Sequence, residues 1–167
     1  LKHLTKDELV SLLGVAGEND RLMFLLSVNH GLRVSEVIGL TAENFVDGHL
    51  VLQRLKGSCK TIQRLLPNEA TLLAEHKPAP DGRLFPISRC TAWRRIKAIG
   101  AQAGIESFKC HPHVFKHTCA TLGLKGGMTL PEVQARLGHK SGASTMMYLA
   151  VDDDTASEAF ARAISSL

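Results

Sequence analysis

Apolar residues recur at helical spacing along nearly the whole chain, and the period changes to that of a strand in one place only, from Gly48 to Pro67. There HLVLQRLK and CKTIQRLLP flank a Gly57-Ser58 break, the pattern of two antiparallel strands joined by a short turn. One hairpin among helices predicts a mainly α fold with a small antiparallel β-sheet, an α+β architecture. Lys56 then falls near the hairpin tip.

The helices carry their own start and stop signals. Thr5 and Glu8 stand in capping-box spacing ahead of Leu9, Val10, Leu12 and Leu13. The segment DRLMFLLSVNHG is apolar almost all round and ends at Gly31, which predicts a core helix with a glycine stop. Helical spacing resumes in RVSEVIGL and places Arg33 at a helix entrance. Further helices are expected around Asn68 to His76, from about Ser88 to Ala103, and from Pro112 to the Gly126-Gly127 break. Thr129 and Glu132 form a second capping box, with Pro131 in the first turn and a stop at Gly138 just before His139. Two short helices should close the chain, one holding Tyr148 and one spanning roughly Thr155 to Ile164.

The 167 residues suit one domain, 1–167, able to bury a core without disulfides or metal. With 44% hydrophobic and 22% charged residues the composition is that of a globular protein. No run approaches the roughly 18 to 20 apolar residues of a spanning helix, and LKHLTKDELV lacks a signal-peptide core, so a cytoplasmic protein is expected, away from membranes. Cys59, Cys90, Cys110 and Cys119 show no CxxC spacing and are expected to be free thiols. The charge of +4 and pI near 9.0 favour a polyanion without demanding one. Arg54, Lys56, Lys60 and Arg64 cluster between Gln53 and Arg64, while Asp152, Asp153 and Asp154 sit near the end, which suggests one basic working face.

Six polar residues fall at element ends, where distant segments can converge: Arg33, Lys56, His113, Lys116, His139 and Tyr148. Each taken singly has an ordinary explanation, as a cap, a solvated turn charge, a hydrogen-bonded histidine or an interface tyrosine. Their order and spacing identify them together. GLRVSEVIGL, with Arg33 and Glu36, resembles the arginine box of the tyrosine recombinase, or phage-type integrase, family. HVFKHTCATL resembles its HxxR-H-[ST]-x-A-[ST]-x-L box, and LGHKSGASTMMYLAV its LGH segment followed by the tyrosine, with nine positions from His139 to Tyr148. LKGSCK matches the family's hairpin lysine with Lys56, Lys60 being the weaker candidate.

The resemblance covers nearly the whole chain and implies the family's catalytic-domain fold, without the helical core-binding domain that usually precedes it. It implies cleavage and rejoining of double-stranded DNA through a 3′-phosphotyrosine on Tyr148, with neither ATP nor metal and hence no cofactor. The chemistry is consistent with that assignment. An attacked phosphodiester gains equatorial charge, which Arg33 and Lys116 can balance. A phenol with a pKa of about 10 needs cationic surroundings or a base, for which His113 is the candidate. His139 can donate to a non-bridging oxygen, and Lys56 can protonate the departing 5′ oxygen. The sequence departs from the family box at Lys116, where arginine is usual, and lysine replaces a planar fork by one compact charge.

Two other readings share parts of this pattern. Type IB topoisomerases use the same chemistry, but the LGH segment and compact size favour a recombinase. A DNA-binding module that kept the fold and lost catalysis would make Lys116 its lesion. The run CHPHVFKHTC offers Cys110, His111, His113, His117 and Cys119 to a metal, but it lacks paired ligand knuckles and spreads its side chains over different helix faces. The apolar spacing of Ala156, Ala159, Phe160, Ala163 and Ile164, with the family likeness, leads us to expect self-association on DNA through the C-terminal segment.

Overall fold

The computed structural model describes residues 3–54, 59–140 and 145. Helix α1 (Lys6–Val15) starts at the predicted box: the Glu8 amide donates to Thr5 Oγ1 at 3.1 Å and the Thr5 amide to Glu8 Oε2 at 2.7 Å. Helix α2 (Glu18–Asn29) is the central element, with Leu22 through Val28 all buried, and it packs against α1. Gly31 ends it at φ 58°, a left-handed conformation that favours glycine. A Cβ at Gly31 would also lie 2.5 Å from Leu137 Cδ2, so this corner admits no side chain.

The next helix is shorter than RVSEVIGL predicts. Only one turn, α3 (Val34–Val37), forms before the chain leaves for a 3-10 turn at Ala42–Asn44. Leu40 is fully buried outside the helix, so core burial rather than helical periodicity explains its place in the apolar pattern. The predicted hairpin is present as β2 (His49–Gln53) and β3 (Lys60–Arg64), antiparallel, with Leu50 opposite Gln63 and Gln53 opposite Lys60. A two-residue strand that the sequence pattern did not announce, β1 (Phe45–Val46), adds to the outer edge of β2. Asp47 and Gly48, both at positive φ, make the tight turn between them.

Four more helices follow: α4 (Pro67–Glu75), α5 (Arg89–Gln102), α6 (His113–Lys125) and α7 (Leu130–Leu137). The caps fall where the sequence places them, Ser88 Oγ accepting from the Thr91 amide and the Thr129 amide donating to Glu132 Oε2. Gly138 stops α7 in the left-handed region at φ 66°. Helix α2 also meets α4 and α6, and Phe24 stacks on Phe115 of α6 with ring centroids 5.1 Å apart. All four cysteines are free. Among the described residues, no helix is long and apolar enough to cross a membrane. The two closing helices expected from the sequence fall outside the described residues.

The core is not wholly apolar. His30 and Glu69 are both fully buried, with Nε2 of the ring 3.1 Å from Glu69 Oε1. Gln63 Nε2 donates to the Arg136 carbonyl at 2.7 Å, which turns Gln63 Oε1 toward His30 Nδ1 at 2.8 Å. Both ring nitrogens therefore have polar partners inside the core. Burial pushes the Glu69 carboxyl up, but His30, the Leu66 amide and Asn29 outweigh it and hold it below its ordinary value. This pair ties α2 to the start of α4.

Removing one member of a buried pair strands the other, at a cost of about 3–5 kcal/mol. Glu69→Ala should lose stability in that range when unfolded with urea at neutral pH, and a loss under about 1 kcal/mol would mean the pair is dispensable. Because the folded carboxyl is depressed, its contribution is complete above the ordinary value of 4.5 and disappears as pH falls through the lower folded value. The stability gap between parent and variant should accordingly narrow in acid.

Candidate active site

Of the candidate residues described by the structure, Arg33, Lys116 and His139 lie around the junction of α2, α6 and α7. Arg33 caps α3, and its backbone amide donates to Glu36 Oε2 at 2.7 Å. Its guanidinium meets the same carboxylate, Nη1 to Oε1 at 3.1 Å, and its side chain keeps 22% exposure while that of Glu36 keeps none. Glu36 thus orients Arg33 from the buried side.

Lys116 sits one turn into α6, buried, and its Nζ donates to the Leu137 carbonyl at the C-terminal end of α7 at 3.3 Å. That carbonyl belongs to the last turn of the helix, where unpaired acceptors attract cations. Burial, and then the charges of Arg33 and Arg54, push the Lys116 ammonium down to about 8. His139, half-buried, follows the Gly138 stop by one residue. Burial first, and then Lys116, Arg33 and Arg54, push it down to about 4, so the ring is neutral near pH 7. Its Nδ1 lies 2.9 Å from the hydroxyl of the fully buried Thr145. If that hydroxyl donates, the tautomer carries its proton on Nε2, free to donate elsewhere.

The structure brings Arg33, Lys116 and His139 into one electrostatic unit. His113 stands apart from it, exposed in the first turn of α6. It borders an open groove of about 1020 Å³ lined also by Val34, Arg89, Trp93, Arg94 and His111. Val34 adjoins Arg33, so groove and cation cluster are neighbours along the chain. Lys56 and Tyr148 lie outside the described residues.

Sequence reasoning placed Arg54 on the exposed basic face with Lys60 and Arg64. The structure corrects that: Lys60 and Arg64 are exposed, but Arg54 is 2% exposed and turned inward. Its Nη1 lies 3.4 Å from Glu36 Oε2, and its Nη2 donates to the carbonyls of His30, Gly31 and Arg136 at 3.1, 3.0 and 3.2 Å. Gln53, one residue earlier, is exposed at the end of β2, and nothing in strand periodicity signals that the next side chain is a core cation. Thr145 was missed too, since a threonine six residues after a histidine carries no local signal.

Among the described residues, these distances give the site more cationic side chains than carboxylates. Arg33 and Arg54 share Glu36, and after burial, the larger cause, they depress the protonation of Lys116, as all three cations do that of His139. A bound anion would relieve that repulsion.

Comparison with known proteins bears on the family and the fold. The phage integrase family profile matches residues 2–155. The tyrosine recombinase XerA of Pyrococcus furiosus is 35% identical over 182 residues, covering 97% of this chain and 62% of that protein. A crystal structure of XerA recombinase superposes with a TM-score of 0.82 at 24% identity, covering 96% of this chain and 64% of the other. The XerH site-specific recombinase bound to its difH substrate gives a TM-score of 0.78 at 23% identity, over 95% of this chain and 53% of the other. The chain spans less than two thirds of the length of these relatives. With the arginine box, the HxxR-type box and the LGH segment drawn together in this fold, the chain belongs to the phage integrase family of tyrosine recombinases.

Proposed function

We propose that this domain cleaves and rejoins double-stranded DNA by transferring a phosphodiester to Tyr148, as a site-specific recombinase. The observation that carries the reading is the cation cluster: Arg33, Arg54 and Lys116 gathered around the buried Glu36, with His139 beside them. Phosphoryl transfer needs positioned positive charge more than covalent help. The groove beside His113 supports a nucleic-acid substrate, since it offers Arg89 and Arg94 for phosphates and the half-exposed Trp93 for stacking. XerH, of the same fold, is bound to its difH substrate.

In this reading Arg33 and Lys116 hold non-bridging oxygens, and His139 donates a third hydrogen bond from Nε2. His113 takes the phenolic proton as Tyr148 attacks phosphorus, forming a 3′-phosphotyrosine and releasing the 5′ oxygen. Lys56 gives that oxygen its proton, leaving a hydroxyl. Reversal by the hydroxyl of a second strand completes exchange. The phosphotyrosyl link preserves the bond energy, so the cycle needs neither ATP nor metal. The roles of Lys56 and Tyr148 rest on the sequence resemblance. Copies of this domain meet on DNA through the segment from about Thr155 to Leu167, in the cytoplasm where the DNA is accessible.

Tyr148→Phe should abolish covalent protein–DNA adduct on a nicked suicide substrate while leaving DNA affinity nearly intact. Undiminished adduct would remove Tyr148 from the mechanism. Affinity itself should fall steeply with salt, because phosphate contacts release counterions, and a salt-independent affinity would point to another kind of ligand.

Lys116 should set the alkaline limit of the reaction. Its ammonium is charged below about 8 and neutral above, so cleavage at subsaturating DNA should decline as pH rises through that value. Lys116→Arg should hold its rate across the alkaline range. At neutral pH it should also be faster, by up to about a hundredfold if the second fork oxygen contact is restored. A variant that keeps the alkaline decline would assign it to a different group.

A further inference from the structure

Arg54 belongs to none of the motifs that identify the family, yet its contacts converge where the site is assembled. Its Nη2 holds the His30 and Gly31 carbonyls at the end of α2, two residues before Arg33. The same nitrogen holds the Arg136 carbonyl in the last turn of α7, three residues before His139. Its Nη1 approaches Oε2 of Glu36, the carboxylate whose Oε1 meets the Arg33 guanidinium. Both helix ends present the negative pole of their dipoles, which makes a cation the fitting group between them.

Packing alone does not account for this side chain. Arg54 Nε and Nη1 are buried without a hydrogen-bond partner among the described residues, a costly state for a guanidinium serving only as filler. The surrounding backbone is shaped to it. A Cβ at Gly138 would lie 2.9 Å from both Cγ and Nε of Arg54, so glycine at this left-handed position makes room for the arginine as well as stopping α7. On the far side of the hairpin, the Cys59 amide donates to the Gly138 carbonyl at 3.1 Å, so both described flanks of the tip are fastened to residues 136–138.

We propose that Arg54 is a positioning residue: one buried guanidinium that locks the chain segments leading to Arg33 and His139 into a common frame. It acts through the carbonyls and Glu36, without touching DNA. Only its kinetic consequence rests on the strand-cleavage reading given above.

The test uses Arg54→Met, which keeps much of the side-chain length and removes the charge and donors. Amide hydrogen exchange should quicken about tenfold or more at Cys59 and His139, while amides of α2 and β2 stay protected. Single-turnover cleavage of nicked DNA should fall about a hundredfold, the cost of a small misplacement, with DNA affinity nearly unchanged. Arg54→Lys should recover part of both, and it replaces the methionine variant if that one fails to fold. Unaltered exchange at Cys59 and His139 would overturn the proposal whatever the activity. A cleavage rate per folded molecule equal to that of the parent would overturn its catalytic consequence. If the parent itself does not cleave, the strand-cleavage reading fails and the exchange result still decides the role of Arg54.

Discussion

A guanidinium taken out of water loses its hydration and must be surrounded by fixed dipoles or opposite charge. At Arg54 those come from the carbonyl ends of α2 and α7 and from Glu36, elements far apart in sequence that face one another in the fold. The requirement runs both ways. Because the cation needs those acceptors, the two helix ends must stop close together, and two left-handed glycines, Gly31 and Gly138, allow them to do so. Arg33 and His139 begin immediately beyond those stops.

The same geometry explains the electrostatic character of the site. Glu36 is shared by Arg33 and Arg54, and Lys116 is turned onto the carbonyl end of α7. A stable resting protein would gain from a further carboxylate here. Instead burial first, and then the neighbouring cations, suppress the protonation of Lys116 and His139. A neutral His139, with Thr145 at its Nδ1, can donate from Nε2 without adding a further full charge to the cluster.

The buried polar layer beneath this site has a different task. His30, Glu69, Gln63 and Asn29 satisfy one another, and Gln63 reaches the same Arg136 carbonyl that Arg54 holds. The hairpin, α2, α4 and α7 are thereby fixed by directional bonds as well as by apolar contact. A purely apolar layer would leave their sliding positions less sharply defined. Precision at the site follows from specificity in the layer below it.

Much of this was legible in the chain itself. Capping boxes, proline first turns and glycine stops are local devices whose atoms lie within a few residues of one another, so α1, α2 and α7 begin or end close to where their sequences say. The hairpin is legible for the same reason, as are Arg33, His113, Lys116 and His139, which follow such signals directly and stand in the spacing of the family motifs. The sequence alone therefore determined most of the described helices, the hairpin and the membership of the site candidates in one family pattern. It could not determine which polar side chains turn inward. Arg54 looked like one more charge of a basic turn, and nothing local set Glu69 or Thr145 apart. Those positions are decided by partners up to 82 residues away, through carbonyl ends and carboxylates that meet only when the helices have packed. Burial and long-range hydrogen bonding are properties of the assembled structure, and the tertiary fold alone converts those residues into the frame of the site.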